Sequence, residues 1–280
     1  MLLLAAVLAF PCGARADEED QKKAAKLAEE AGAAFQKGNA KEAIELATKA
    51  IKLDPKNPPA YYVLGSAHYS LRQNEEAVTA FRELIKLSPD LPTAHDRLGD
   101  ALLKLGRFTE AVAEFDEFLK ANPKAAPDHW RRGIALYYAG KFDEGRKQFD
   151  LHRTVNPEDV ENSAWHYLCN ARATSPKKAR EELIPVSKDA RVPMKQVLEL
   201  FAGKLKPHDV LEAAEKAKLG DEGLKEARFY ANLYVGLYYE SEGNAKKALE
   251  HLITAVEKYK IGHYMWDVAD AHLKLLKAKK

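Results

Sequence analysis

The sequence predicts an all-α protein, a stack of antiparallel helical hairpins, and three observations predict it. Prolines recur as Pro55, Pro89, Pro123 and Pro157, spaced 34 apart. Small residues keep the same phase, as Ala43, Ala77, Ala111, Gly145 and Ala179 in one column and Gly65, Gly99 and Gly133 in another. Phe81, Phe115 and Phe149 form a further column. A fixed period of this length marks an array in which each helical unit buries its apolar face against the next. The strong helix formers Ala, Leu, Lys and Glu are abundant throughout.

Each column has a physical reading. Gly or Ala lets two antiparallel helices approach closely, and the Phe column fills the space between successive hairpins. Gly38, Gly106 and Gly140 fall between the two helices of a hairpin, where a left-handed C-cap is useful. The proline ends the second helix, because it has no N–H to continue it.

This pattern resembles the tetratricopeptide repeat, with small residues at positions 8 and 20, a large one at 24 and proline at 32. The resemblance implies a right-handed solenoid. In that register the units begin near Ala24, Pro58, Pro92, Ala126 and Val160, and residues 17–157 hold four regular units. Residues 158–228 are expected to be degenerate: Tyr167 replaces the small residue of the fifth unit and Arg191 stands where proline is expected. The sixth unit, around 194–216, is shortened, with Pro207 opening its second helix. Residues 229–280 recover the register through Gly236, Gly243, Ala248, Leu252 and Ala255, and end in a capping helix from about Tyr264. Its basic end suits the helix dipole. One continuous solenoid is expected.

The order of parts resembles the NlpI-type bacterial envelope adaptor family. The features that carry this are Trp165, Tyr167 and Leu168, the pair Phe229-Tyr230, the run Gly236-Leu237-Tyr238-Tyr239, and the His263 segment before the last helix. The resemblance implies a dimeric periplasmic adaptor that brings peptidoglycan hydrolases to proteases and synthesis complexes.

Leu2 to Phe10 form an apolar run, broken by Pro11 and Gly13 and followed by Ala14-Arg15-Ala16. This reads as a signal peptide cleaved after Ala16, predicting an exported, periplasmic or secreted protein. No Lys or Arg precedes the run, which departs from the usual signal; the alternative is a cytosolic protein with an apolar N-terminus. The run is too short to span a bilayer, so no stable membrane insertion is expected after cleavage. Cys12 follows Phe10-Pro11, where a lipid-attachment motif wants a small residue, so lipidation is not expected. The mature chain keeps only Cys169, which rules out an intramolecular disulfide. It reads as a buried small side chain, with an intermolecular disulfide as the alternative.

Lys and Arg number 44 against 42 Asp and Glu, a formal charge of +2. That balance gives no dense basic face for a nucleic acid. HExxH, CxxC, CxxCH, GxSxG and Gly-rich phosphate loops are absent, so no enzyme, cofactor or metal site is expected. His95 and His129 share a repeat position and could meet at a metal; local hydrogen bonding is the ordinary alternative.

The chemistry expected is recognition. The first helix of each hairpin should line a concave protein-binding groove with Tyr62, Ser66 and Tyr69, then Asp96, Arg97, Asp100 and Lys104. Trp130, Arg131, Ile134, Tyr137 and Tyr138 follow, and then Trp165, Leu168 and Arg172. Aromatics and Arg dominate binding hot spots, and the alternative is that several pack against neighbouring hairpins. The expected ligand is an extended or helical segment with apolar anchors and an acidic group near Arg97, Arg131 or Arg172. The expected function is an exported scaffold for protein or peptide segments; the alternative is a homodimeric assembly protein of the envelope without a specific ligand.

Overall fold

The computed structural model describes residues 12–278, with side chains from Asp17 onward. The expected leader, residues 1–16, lies outside the described side chains. Every regular element among the described residues is helical. They form two compact units, one through Leu98 and one from Gly99 onward.

In the first unit α1 (Cys12–Gln36) pairs with α2 (Ala40–Leu53), and α3 (Pro58–Ser70) packs on both and pairs with α4 (Asn74–Leu87). The core is built from alanine: Ala31, Ala43, Ala47 and Ala67 form one cluster and Ala24, Ala28, Ala50 and Ala60 another. Side chains this small let helix backbones approach closely. Proline opens α3, and Asn57 caps it by accepting the Ala60 N–H at 3.0 Å. α5 (Pro92–Lys104) contains the division between the units.

The second unit continues with α6 (Phe108–Ala121), α7 (Trp130–Tyr138), α8 (Phe142–His152) and α9 (Val160–Ala173). Shorter helices follow: α10 (Pro176–Glu181), α11 (Met194–Phe201) and α12 (Pro207–Glu215). The chain closes with α13 (Asp221–Ser241), α14 (Ala245–Ile253), one π-helical turn at Thr254–Lys258, and α15 (Tyr264–Ala278). α7, α8 and α9 pack in succession, α9 also receives α10, α11 and α13, and α13 pairs with α14.

Two of the sequence columns turn out to be one contact. A Cβ built on Gly65 would lie 2.6 Å from the Phe81 ring, on Gly99 2.7 Å from Phe115, and on Gly133 2.6 Å from Phe149. Each ring lies on the bare backbone of the glycine sixteen residues earlier, inside its own hairpin, instead of only filling the gap to the next one. The turn between the helices is also periodic. Gly38, Gly106 and Gly140 have φ of 83°, 77° and 77°, and Arg72 holds the equivalent place at φ 58°.

The period slips where local chemistry opposes it. The fourth unit was expected to start near Ala126, yet Pro123–Asp128 forms a 3-10 turn and α7 begins only at Trp130. Pro127 cannot donate to a helix passing through it, and His129 restarts the chain by capping Arg132 N–H. In the fifth unit Tyr167 occupies the place of the glycine. Its fully buried ring excludes the usual partner and instead meets Phe201 of α11 edge-on at 4.8 Å. The segment after α10 then runs without helix along α9, where Ser163 donates to the Ile184 carbonyl at 2.7 Å and Asp189 accepts the Val160 N–H.

Candidate functional site

The second unit encloses an open cavity of about 620 Å³. α7 contributes Trp130 and Ile134, α8 contributes Phe149 and His152, and α9 contributes Glu161, Asn162 and Trp165. Asp128, Asp159, Arg191, His263 and Met265 complete its rim. The late start of α7 brings Trp130 here, and the extended run after α10 delivers Arg191.

Arg191 organises the polar side. It donates to Asp189 at 2.9 Å from Nε, to Glu161 at 2.7 Å and to Asp159 at 2.6 Å. The Asp189 hydrogen bond, foremost, holds the guanidinium firmly charged. Glu161 receives only a share of that charge. Its side chain is 14% exposed, and burial pushes its carboxyl up to about 7 against the pull of Arg191. The Tyr234 hydroxyl donates to its other oxygen at 2.8 Å. Asn162 and Trp165 are 3% and 2% exposed, and Asn162 Oδ1 and Trp165 Nε1 have no hydrogen-bond partner among the described residues.

The residues expected to line a groove have three fates. On α3, Tyr62 and Tyr69 are half-buried, and Arg97 near the middle of α5 is exposed. In the second unit the chain itself covers most of the others. Asp100, 3% exposed, is paired with Arg131 at 2.8 Å and accepts the Tyr264 hydroxyl at 2.6 Å. Lys104 pairs with Asp267 at 3.1 Å, both side chains under a tenth exposed. Trp130 meets Tyr264 edge-on at 5.0 Å, and Tyr138 stacks on Phe108 at 4.6 Å and tilts against His272 at 4.9 Å. Thus α15, expected as a cap, lies along residues of α5 and α7. Tyr137 and Trp165 are buried against each other at 5.5 Å. Arg172 lies over Phe142 and pairs with Glu240 at 3.7 Å. Ile134 and Leu168 are core residues.

Arg131 and Arg172 already have carboxylates, whereas the open cavity is lined by Asp128, Asp159 and Glu161. Periodicity had no way to find Glu161, Asn162 or Arg191, because they belong to the interrupted part of the repeat.

Other candidate chemistry resolves locally. His129 meets Phe115 edge-on at 4.6 Å and serves as a helix cap. Among the described residues no group of three or more His, Cys, Asp or Glu could hold a metal. Cys169 is fully buried against Gly145, whose added Cβ would lie 2.8 Å from the sulfur, and burial pushes its thiol far up. The folded protein thus gives it no access to an intermolecular disulfide. No described helix is long and apolar enough to cross a membrane.

The tetratricopeptide repeat family matches residues 28–92 and 97–158. Within those two stretches the chain is similar to tetratricopeptide repeats. Among solved structures, a tetratricopeptide repeat protein from Parabacteroides merdae is 17% identical and covers 91% of this chain and 99% of its own, with a TM-score of 0.59. YrrB, described as a TPR protein with an unusual peptide-binding site, is 21% identical over 69% of this chain and 98% of its own, with a TM-score of 0.58. MamA residues 41 to the end, from Desulfovibrio magneticus RS-1, is 23% identical over 57% of this chain and 90% of its own, with a TM-score of 0.51. At these identities the likeness is one of fold. No curated protein is detectably similar in sequence. In repeat terms, the cavity is lined from the third position of the fourth unit, Asp128, into the stretch after 158 that the family match does not reach.

Proposed function

We propose that this chain is a non-catalytic scaffold that binds protein or peptide segments along the first helices of its tetratricopeptide hairpins. The observation that carries the reading is the seating of α15. A helix bearing Tyr264, Asp267 and His272 rests on Asp100, Lys104, Trp130 and Tyr138 through aromatic edges and closely paired charges. Those positions accept a helix of this chain, and a partner helix can use the same mode of contact at positions the chain leaves uncovered. YrrB, similar in fold, is described as having a peptide-binding site.

The half-buried Tyr62 of α3 and the exposed Arg97 are such positions, whereas Trp130 and Arg131 are held by the chain itself. The test is site-specific photocrosslinking from position 62 or 69 in the producing cell. A discrete adduct with another protein, lost in Arg97→Glu, is expected. If only the uncrosslinked chain is recovered at both positions, these helices are not the binding face.

We further propose that the scaffold is exported and serves in the cell envelope as an adaptor, on the support of the apolar run, the Ala-Arg-Ala site and the NlpI-type order of parts. N-terminal sequencing of the mature protein should begin at Asp17, and an intact Met1 would overturn export. Light scattering at micromolar concentration should give a dimer mass; a monomer removes self-association from the reading.

A further inference from the structure

The cavity on α7, α8 and α9 is not required by hairpin stacking, which the Gly–Phe contacts accomplish. Its walls are Trp130, Ile134 and Phe149, and its polar rim holds Asp128, Asp159 and Glu161. The single guanidinium there, Arg191, is shared among Asp189, Asp159 and Glu161. Negative charge is therefore in excess. An independent feature points the same way: Asn162 is 3% exposed, lines the cavity, and its Oδ1 acceptor is unanswered among the described residues. A buried acceptor without a donor is destabilising, and a ligand N–H returns that stabilisation.

From this geometry we infer that the cavity receives a cation on an apolar stem, the ammonium or guanidinium of a Lys or Arg side chain of a bound polypeptide. The methylene stem packs on the Trp130 and Phe149 rings, a cation is attracted to the indole faces, and its N–H groups turn to Asn162 Oδ1 and the carboxylate rim. An anionic group would meet the carboxylates of Asp128 and Asp159 and an arginine already shared among carboxyl groups. A metal ion would find no group of three His, Cys, Asp or Glu able to hold it. This inference rests on the scaffold reading and adds which part of a partner this one cavity holds. It concerns a different unit from Tyr62, Tyr69 and Arg97.

The experiment is two-dimensional NMR of the full chain, following the three tryptophan indole N–H signals during titration with N-acetyl-lysinamide, N-acetyl-argininamide, the neutral N-acetyl-norleucinamide and the acidic N-acetyl-glutamate amide. The Trp130 and Trp165 signals should move with both cationic probes. Trp266, whose Nε1 donates to the Val256 carbonyl, is the internal control and should stay. The neutral probe should need at least roughly tenfold higher concentration, the worth of one well-placed charge contact. Asp128→Asn, at an exposed position, should weaken the cationic probes about threefold or more. Equal response to the lysine and norleucine probes, a stronger response to the acidic one, or none at all overturns the inference. If the probes fail while crosslinking at positions 62 and 69 succeeds, the scaffold stands and the cation cavity falls. Failure of crosslinking with a positive titration removes α3 as a binding face and leaves the cation cavity standing.

Discussion

At the scale of single residues, the Gly133–Phe149 contact leaves no room for a methyl group. Gly133→Ala puts a Cβ 2.6 Å from a ring that is itself fully buried, so the ring or the helix must shift. We expect a loss of about 1–3 kcal/mol, as for other overpacked cores, measured by urea unfolding. Gly140→Ala tests a different property, since nothing lies within 4 Å of its Cβ but its φ is 77°. There the cost is backbone strain of about 1–2 kcal/mol. Glu161 gives a pH signature. Its folded value of about 7 lies above the free value of 4.5, so the folded chain holds the proton more tightly than the unfolded one. That stabilisation is complete below about pH 4.5 and is lost as pH rises through about 7. Glu161→Gln should remove a pH-dependent difference on the order of 3 kcal/mol between about pH 4 and about pH 8, read from denaturation midpoints. An unchanged pH profile would mean that the carboxyl titrates in the folded chain as it does in the unfolded one.

At the scale of elements, α15 is bound to α5 by paired polar groups. Lys104 and Asp267 are 8% and 7% exposed. Breaking the pair through Lys104→Ala leaves a buried carboxylate and should cost about 3–5 kcal/mol, whereas the double change Lys104→Met with Asp267→Leu should recover most of it. Thermal melts of the three proteins decide this; a double variant as unstable as the single one would show that the pair is not what matters. The hairpins themselves were legible from sequence because Gly65, Gly99 and Gly133 and their phenylalanines act within one hairpin at fixed spacing. The placement of α15 was not. Tyr264 and Asp100 are 164 positions apart, and no periodic rule links a last helix to side chains of an early one. For the same reason Asp100, Lys104, Trp130 and Tyr138 were read as open groove. Their residue types are those of an interface, and the interface is with the chain itself.

At the scale of the whole molecule, regular and irregular parts divide the work. The regular hairpins follow from composition and period: α3, α5 and α9 start at Pro58, Pro92 and Val160, whereas α7 is delayed to Trp130. The stretch from α9 to α13 follows from particular collisions. Tyr167 in a glycine's place calls up Phe201, and the extended run that results carries Arg191 to Glu161. Removing residues 264–280 should therefore do more than shorten the protein. It uncovers Asp100, Trp130 and Tyr138, and should lower the unfolding temperature and raise binding of a hydrophobic dye. No change in either would show that α15 rests there without contributing.

The sixteen-residue interval between each glycine and its phenylalanine gives the chain a rhythm without slack. One residue added inside the turn at Gly140 rotates the following helix by about 100°, and the ring that belonged on bare backbone swings away from it. The same residue added between hairpins, in the polar turn around Ala125, leaves every such meeting intact. Length variation in this protein should therefore gather between hairpins and avoid their inner turns, a bias that a library of single-residue insertions would expose as alternating bands of tolerance and failure.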